Sequence, residues 1–409
     1  MAARAGALPI PDDFAPPPDA TQLADWAAAD AAARPARLAR VRDRFADAGI
    51  DAYFGVRPEH MRYLTGFALG NGEEKVAGTS GQFFIGGDEV VVLADSRYTI
   101  QARREAPDAR IAEAYGDLPS RWPELGRSIG ARRVGVEAGF VSQAAWARLA
   151  AASPDIELVP IEGWVEADRA TKEPAEVERI AAACAVADRA LAALLPEIRQ
   201  GVTEAELALR LEWLMRTGGA EALAFDVACL SGPEAALPHG APGDRPVQDG
   251  AVLLFDFGAQ VAGYRSDMTR TLFVGEPSPR ELQIYELVAR AQAAAIGSLE
   301  AAVARPDPMP SGRAIDAVAR SIIVEAGHGE HFGHGTGHGI GLATHEAPSL
   351  GKSAAETPLP SPTVFSVEPG VYLDGEMGVR IEDLVLLDAG AGRLERLTRF
   401  PREPLVVGR

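Results

Sequence analysis

The sequence predicts an α+β chain of two domains, a small mixed α/β domain followed by a larger one made of helix pairs and hairpins. Three observations carry this. The chain has 409 residues, more than one domain of about 100–150 residues accounts for. Strand-like and helical segments alternate from residue 34 to 165, the pattern of a mixed α/β layer structure. Beyond Lys172, long helices with cap signals come in pairs, and each pair is followed by two apolar runs separated by turn residues. The expected division is an arm over 1–33, an α/β domain over 34–165 and a second domain over 170–405.

The start of the chain is rich in Pro and Ala. Pro16, Pro17 and Pro18 forbid a helix there, so an arm is expected, followed by a short helix over 21–33 with Trp26 in the core of the first domain. Leu38, Val41 and Phe45 at helical spacing predict an amphipathic helix over 34–48 that stops at Gly49. Strands are expected over 51–56, 81–85, 90–93, 133–136 and 157–160. Helices are expected over 61–66, 97–105 and 142–152.

A linker is expected over 163–170. Lys172, Glu173 and Pro174 then open a long helix, with acid and proline in the first turn where both are favoured. Thr203 and Glu206 form a capping box for a helix over 203–217. A strand over 225–230 and helices over 280–304 and 311–327 follow. Helix pair then hairpin occurs twice, which predicts an internal pseudo-twofold.

The formal charge of −18 argues against a nucleic-acid backbone or an anionic membrane as partner. The two cysteines, Cys184 and Cys229, sit in apolar stretches without CxxC spacing and are expected as reduced core thiols. No apolar run approaches the roughly 18 residues of a membrane span, and the first residues lack the apolar core of a secretion signal. A cytoplasmic protein is expected.

The chemistry concentrates in the second domain. Val252 to Phe255 and Thr269 to Val274 read as two strands with turn residues 260–263 between them. A tip at Val261 and Ala262 puts Asp256 directly opposite Asp267, where like charges about 4.5 to 5.5 Å apart repel. A second hairpin turns at Asp374 and Gly375 and sets Glu368 opposite Glu382. Between the hairpins run His334, His338 and His345, all close to glycine, in a chain of seven histidines. Four carboxylates and one imidazole suit two hard divalent cations about 3.5 to 4 Å apart. The competing account is a salt-bridge network with Arg265, Arg270 and Arg380. It is disfavoured, because four carboxylates in apolar strands need more than chance partners when burial of unpaired charge costs several kcal/mol per ion.

Asp256 with Asp267, the His334-Gly-Thr-Gly-His338-Gly-Ile-Gly run, Val367-Glu368-Pro-Gly and Arg380-Ile-Glu382-Asp resemble the metallopeptidase family of methionine aminopeptidase, Xaa-Pro aminopeptidase and prolidase. The resemblance spans residues 171–401. It implies the pita-bread fold for the second domain and metal ligation by Asp256, Asp267, His338, Glu368 and Glu382. Tyr63-Leu-Thr-Gly-Phe67 and Asp95-Ser-Arg-Tyr98 resemble the amino-terminal domain of the creatinase and Xaa-Pro aminopeptidase branch.

By the same resemblance, the two ions share a bridging water or hydroxide, and Glu368 accepts its proton. His345 donates to the carbonyl oxygen as it becomes an oxyanion, His239 contacts the scissile amide, and His334 lines the pocket near the substrate's proline. Spacing alone does not decide between His334 and His338 as ligand. Arg380 is expected at the substrate or as a partner balancing Asp267. Mn²⁺ is the expected metal, with Co²⁺, Zn²⁺ or Fe²⁺ as alternatives, and a homodimer is expected. The function implied is removal of the amino-terminal residue from peptides with proline second. Prolidase, which takes only the Xaa-Pro dipeptide, is the close alternative, followed by a small-molecule hydrolase or lyase and by a noncatalytic binding paralogue.

Overall fold

The structure is a computed structural model that describes residues 11–69, 81–113, 118–305 and 308–408. Two compact units emerge, one of residues 21–168 and one of residues 11–20 with 169–408. Part of the expected arm, residues 1–10, lies outside the described residues.

The first unit is built on a six-stranded sheet in the order Arg110–Glu113, Val90–Ala94, Gln82–Ile85, Ala52–Gly55, Arg133–Glu137, Glu157–Ile161. Gln82–Ile85 pairs antiparallel with both Ala52–Gly55 and Val90–Ala94, and the other neighbouring strands pair parallel through helical crossovers. Phe54, Phe84 and Trp122 pack at ring distances of 4.7 to 5.2 Å to form its core. Two expectations need correction here. The helices drawn over 21–33 and 34–48 are largely one helix, Ala20–Asp43, running through Pro35. Trp26 and Arg37 are buried on it, and Arg37 reaches the Tyr63 carbonyl at 3.0 Å, so tertiary contacts on both sides of Pro35 outweigh its helix-breaking tendency. The expected linker over 163–170 contains a helix, Trp164–Ala170. Arg44 holds Asp168 at 2.6 Å and Arg57 holds Glu166 at 3.0 Å, which fastens the helix to its own unit.

The second unit begins with a segment that is packed, not trailing: Phe14 is buried and Asp13 pairs with Arg399 at 3.2 Å. Pro174–Leu194 and Glu204–Thr217 form the first helix pair, both opened by capping boxes. Pro279–Val303 and Gly312–Glu325 form the second. The first pair precedes a four-stranded sheet containing Val252–Phe257 and Met268–Val274; the second precedes a five-stranded sheet containing Gly337–Gly339, Thr363–Val367 and Asp383–Asp388. Leu254, Phe273, Ile284, Val288, Ile315, Phe365 and Ile381 belong to one continuous core. Cys184 and Cys229 are buried free thiols. Among the described residues no helix is long and apolar enough to cross a membrane.

Candidate metal centre

The first hairpin differs from the expected register. Ala262 at φ 46° and Gly263 at φ 87° form the tip, and Val261 pairs with Tyr264. Two adjacent positive φ values suit a two-residue turn that follows strand twist. Asp256 therefore stands opposite Thr269, not Asp267. A shift of two residues preserves side-chain parity, so Asp256, Asp267 and Thr269 still share one face. Gly258 lies so close to the Ser266 carbonyl oxygen that a Cβ there would collide with it.

The second hairpin keeps the expected register in two ladders. Gly370–Leu373 pairs with Met377–Arg380, and Thr363–Val367 pairs with Asp383–Asp388. Glu368 and Glu382 occupy the matching positions between the ladders. Their amides bond elsewhere: Glu368 N–H donates to the Thr336 carbonyl at 2.7 Å and Glu382 N–H to the Thr269 carbonyl at 3.1 Å.

These elements gather the acidic side chains about His338. Asp267, His338 and Glu382 each offer an atom within 4.8 Å of the others. Glu368 Oε1 lies 3.2 Å from His338 Nε2 and Asp267 Oδ2 lies 3.7 Å from it. His338 Nδ1–H donates to the Gly339 carbonyl at 3.1 Å, which directs Nε2 at the carboxylates. His334 is differently engaged, with Nδ1 on the Gly335 carbonyl at 2.7 Å and Nε2 on the Tyr372 hydroxyl at 2.8 Å. The structure thus brings His338, and not His334, among the acids. His345 is exposed, with its ring centroid 4.2 Å from that of His338. His239 is exposed on its loop, near enough for its charge to act on Asp256 and His345.

Arg380 corrects an expectation. It is buried, and it pairs with Asp256 at 2.6 Å, not with Asp267. Its remaining donors reach the Thr269 hydroxyl at 2.7 Å, the Tyr372 hydroxyl at 2.8 Å and the Pro238 carbonyl at 3.5 Å. Arg380 braces Asp256. Arg270 pairs with Asp383 at 2.7 Å, and Arg265 donates to the Thr344 hydroxyl at 2.9 Å.

The electrostatics follow from burial. Desolvation first, then the neighbouring carboxylates, push Asp267 and Glu382 well above the ordinary carboxylate range. Burial also raises Asp256, and Arg380 offsets part of this. Burial works on Glu368 in the same sense, but the hydrogen bond and charge of His338 outweigh it and bring Glu368 down to about 2. The same contact lifts His338 to about 9 against the opposing effect of burial. His345 is lowered by desolvation and by the charge of His338. Asp256 Oδ1 and Glu382 Oε1 are buried without a hydrogen-bond partner. Buried acids with orphaned oxygens and an imidazole lone pair aimed among them are the donor set of a hard divalent cation.

Several supporting residues escape sequence reading. Thr269 donates to Glu382 Oε2 at 2.7 Å and Ser366 to Glu368 Oε1 at 2.9 Å. Each lies two residues from an acid in the same strand segment, so strand parity could have found them. Tyr372, which links His334 to Arg380, carries no comparable signal.

Comparison with known proteins places this geometry. A model described as metallopeptidase family M24 matches residues 178–389, and one described as creatinase/prolidase N-terminal domain matches residues 37–171. An uncharacterized peptidase of Bacillus subtilis is 34% identical over 91% of this chain and 100% of its own length. An Xaa-Pro dipeptidase of Pyrococcus horikoshii is 40% identical over 58% of this chain and 64% of its own length. Among solved structures, an Xaa-Pro dipeptidase from Bacillus anthracis aligns with TM-score 0.82 at 34% identity, covering 91% of this chain and 100% of that one. An X-Pro aminopeptidase from Thermotoga maritima aligns with TM-score 0.76 at 35% identity, covering 88% and 98%.

Proposed function

We propose, on the premise that the chain belongs to metallopeptidase family M24 and carries a creatinase/prolidase N-terminal domain, that it cleaves the bond between an amino-terminal residue and a proline in second position. The chain is a hydrolytic metallopeptidase of the two-domain pita-bread fold, and the family implies divalent metal ions. The observation that carries the proposal is the convergence of Asp267, His338 and Glu382 on one small volume, flanked by Glu368 and Asp256.

Asp256, Asp267, His338, Glu368 and Glu382 would hold two ions, Mn²⁺ first. Bound divalent ions polarise a carbonyl and make water acidic enough to attack near neutral pH. Glu368 takes the proton of the attacking water. In the metal-free chain its low pKa rests on its contact with His338. His345, whose proton affinity is already lowered, is a neutral imidazole at physiological pH and donates N–H to the forming oxyanion. His239 and His334 stand beside the scissile bond and the proline ring. His334 is held in place by the Tyr372 hydroxyl.

The Xaa-Pro dipeptide is the first substrate to test, because the Pyrococcus horikoshii relative and the Bacillus anthracis neighbour are both described as Xaa-Pro dipeptidases. The Thermotoga maritima neighbour supports the aminopeptidase reading, with longer peptides accepted. We would compare kcat/KM on Ala-Pro and Ala-Pro-Ala with metal content measured on the same sample. Preference for the dipeptide supports a dipeptidase, preference for the tripeptide an aminopeptidase, and turnover of neither sinks the Xaa-Pro reading.

A further inference from the structure

We propose that Glu346 is a positioning residue for His345, acting through a buried clasp with Arg169 and Lys172. The inference rests on the reading of His345 as the oxyanion donor. Among the described residues no hydrogen bond holds the His345 imidazole, and its ring contact is with His338. The fold therefore fixes that ring through the position of its main chain and its packing on His338.

The main chain is pinned one residue later. The Glu346 side chain is only 4% exposed. Its Oε1 accepts from Lys172 Nζ at 2.6 Å, and its Oε2 accepts from Arg169 Nη2 and from the Ala343 amide at 3.3 Å. Both cations are buried. Lys172 is itself tied down, with Nζ on the Arg169 carbonyl at 2.5 Å and its amide on the Pro362 carbonyl at 2.8 Å. Glu346 folds back beneath its own loop, so that a Cβ on Gly341 would meet Oε1 at 2.5 Å. The other side of the loop is held by the Arg265 amide on the Gly341 carbonyl at 2.9 Å and by Thr344, whose hydroxyl donates to the Ala224 carbonyl at 3.2 Å.

A carboxylate that receives two buried cations and an amide of its own loop has one geometry available. Displacing it lets the segment carrying His345 move, and a misplacement of about 1 Å at a reacting group costs on the order of 10²-fold in rate. The Glu346 carboxylate bonds Lys172, Arg169 and the Ala343 amide and none of the acids around His338, but its main chain pairs with Gly339 beside His338, so metal content is measured together with rate.

The test is a double-mutant cycle on the metal-loaded full chain. Glu346→Gln keeps the side-chain shape and removes the charge. It should lower kcat by about 10- to 100-fold with KM and metal content unchanged, yet cost nothing further in a His345→Ala background. An equal fold-loss in both backgrounds, or loss of metal with the substitution, overturns the inference. Gly341→Ala presses on the same carboxylate without deleting a charge. It should reproduce the pattern if Glu346→Gln fails to fold, and equal losses in both backgrounds overturn the inference again. His345→Ala with undiminished kcat would refute the oxyanion reading itself, an outcome separate from failure of the cycle.

Discussion

Arg380 and Asp256 are joined by a 2.6 Å ion pair inside a cluster that otherwise gathers carboxylates. The pair uses one oxygen of Asp256 and leaves Oδ1 buried without a partner. Removing the guanidinium leaves an uncompensated charge, at a cost of about 3–5 kcal/mol for a buried pair. Arg380→Met should therefore lower the stability of the metal-free protein by roughly that amount. The loss should shrink when divalent cations are present, since they supply the missing positive charge. Denaturation with and without metal measures both, and an equal loss in the two states would argue against a cation at Asp256.

Exhaustive chelation should abolish hydrolysis, with Mn²⁺ or Co²⁺ restoring it. Asp267→Ala should lose bound metal and activity together, as Asp267 lies within 4.8 Å of both His338 and Glu382. Metal analysis alongside turnover decides it; undiminished activity in metal-free protein would be the contrary result.

Metal retention should fall as pH falls. Asp267 and Glu382 have folded-state pKa values above their ordinary 3.8 and 4.5, so the metal-free fold binds protons that the unfolded chain releases. Asp188, raised to about 6 by burial, acts in the same sense. A raised carboxyl pKa makes the metal-free fold gain stability as pH drops through the folded pKa toward the ordinary value. Protons and cations compete for these oxygens, so stabilisation by added metal should diminish over the same interval. Melting temperatures against pH, with and without metal, test the sign; a metal effect that grows on acidification would contradict it.

His345→Ala should lower kcat by about 10²-fold or more, the cost of one lost oxyanion donor, while metal content stays the same. If the ions leave with the side chain, His345 belongs with the ligands.

Proline in second position should be favoured by roughly 10- to 100-fold in kcat/KM, since a site shaped for a residue without an amide hydrogen leaves the N–H of alanine unpaired at about 1 to 3 kcal/mol. Ala-Pro-Ala and Ala-Ala-Ala supply the matched pair. Similar values would point to another substrate.

Local signals were legible in the sequence. The capping box at Thr203 and Glu206 and the turn at Gly375 both stand where local chemistry put them. The acids reach one face because strand parity survives a two-residue error at Ala262 and Gly263. Long-range forces hid the rest. Nothing near Pro35 announces that Arg37 will reach Tyr63 and hold the helix together, and Lys172 meets Glu346 from far away in sequence. Sequence spacing pairs Asp256 with another acid, because the arginine that meets it arrives from a different hairpin.

The backbone bonds of Glu368 and Glu382 carry a kinetic implication. Glu368 reaches across to Thr336 and Glu382 to Thr269, so the acids stand where the first hairpin, the histidine loop and the second hairpin are stitched together. A cation held there ties distant stretches of chain into closed loops, and the entropy of closing such loops grows only slowly with their length. Ligands drawn from three separate stretches assemble late, so the tie forms after the folding barrier is crossed and must be broken before the reverse one is. Loading with metal should therefore lengthen the lifetime of the native state and leave the refolding rate nearly unchanged.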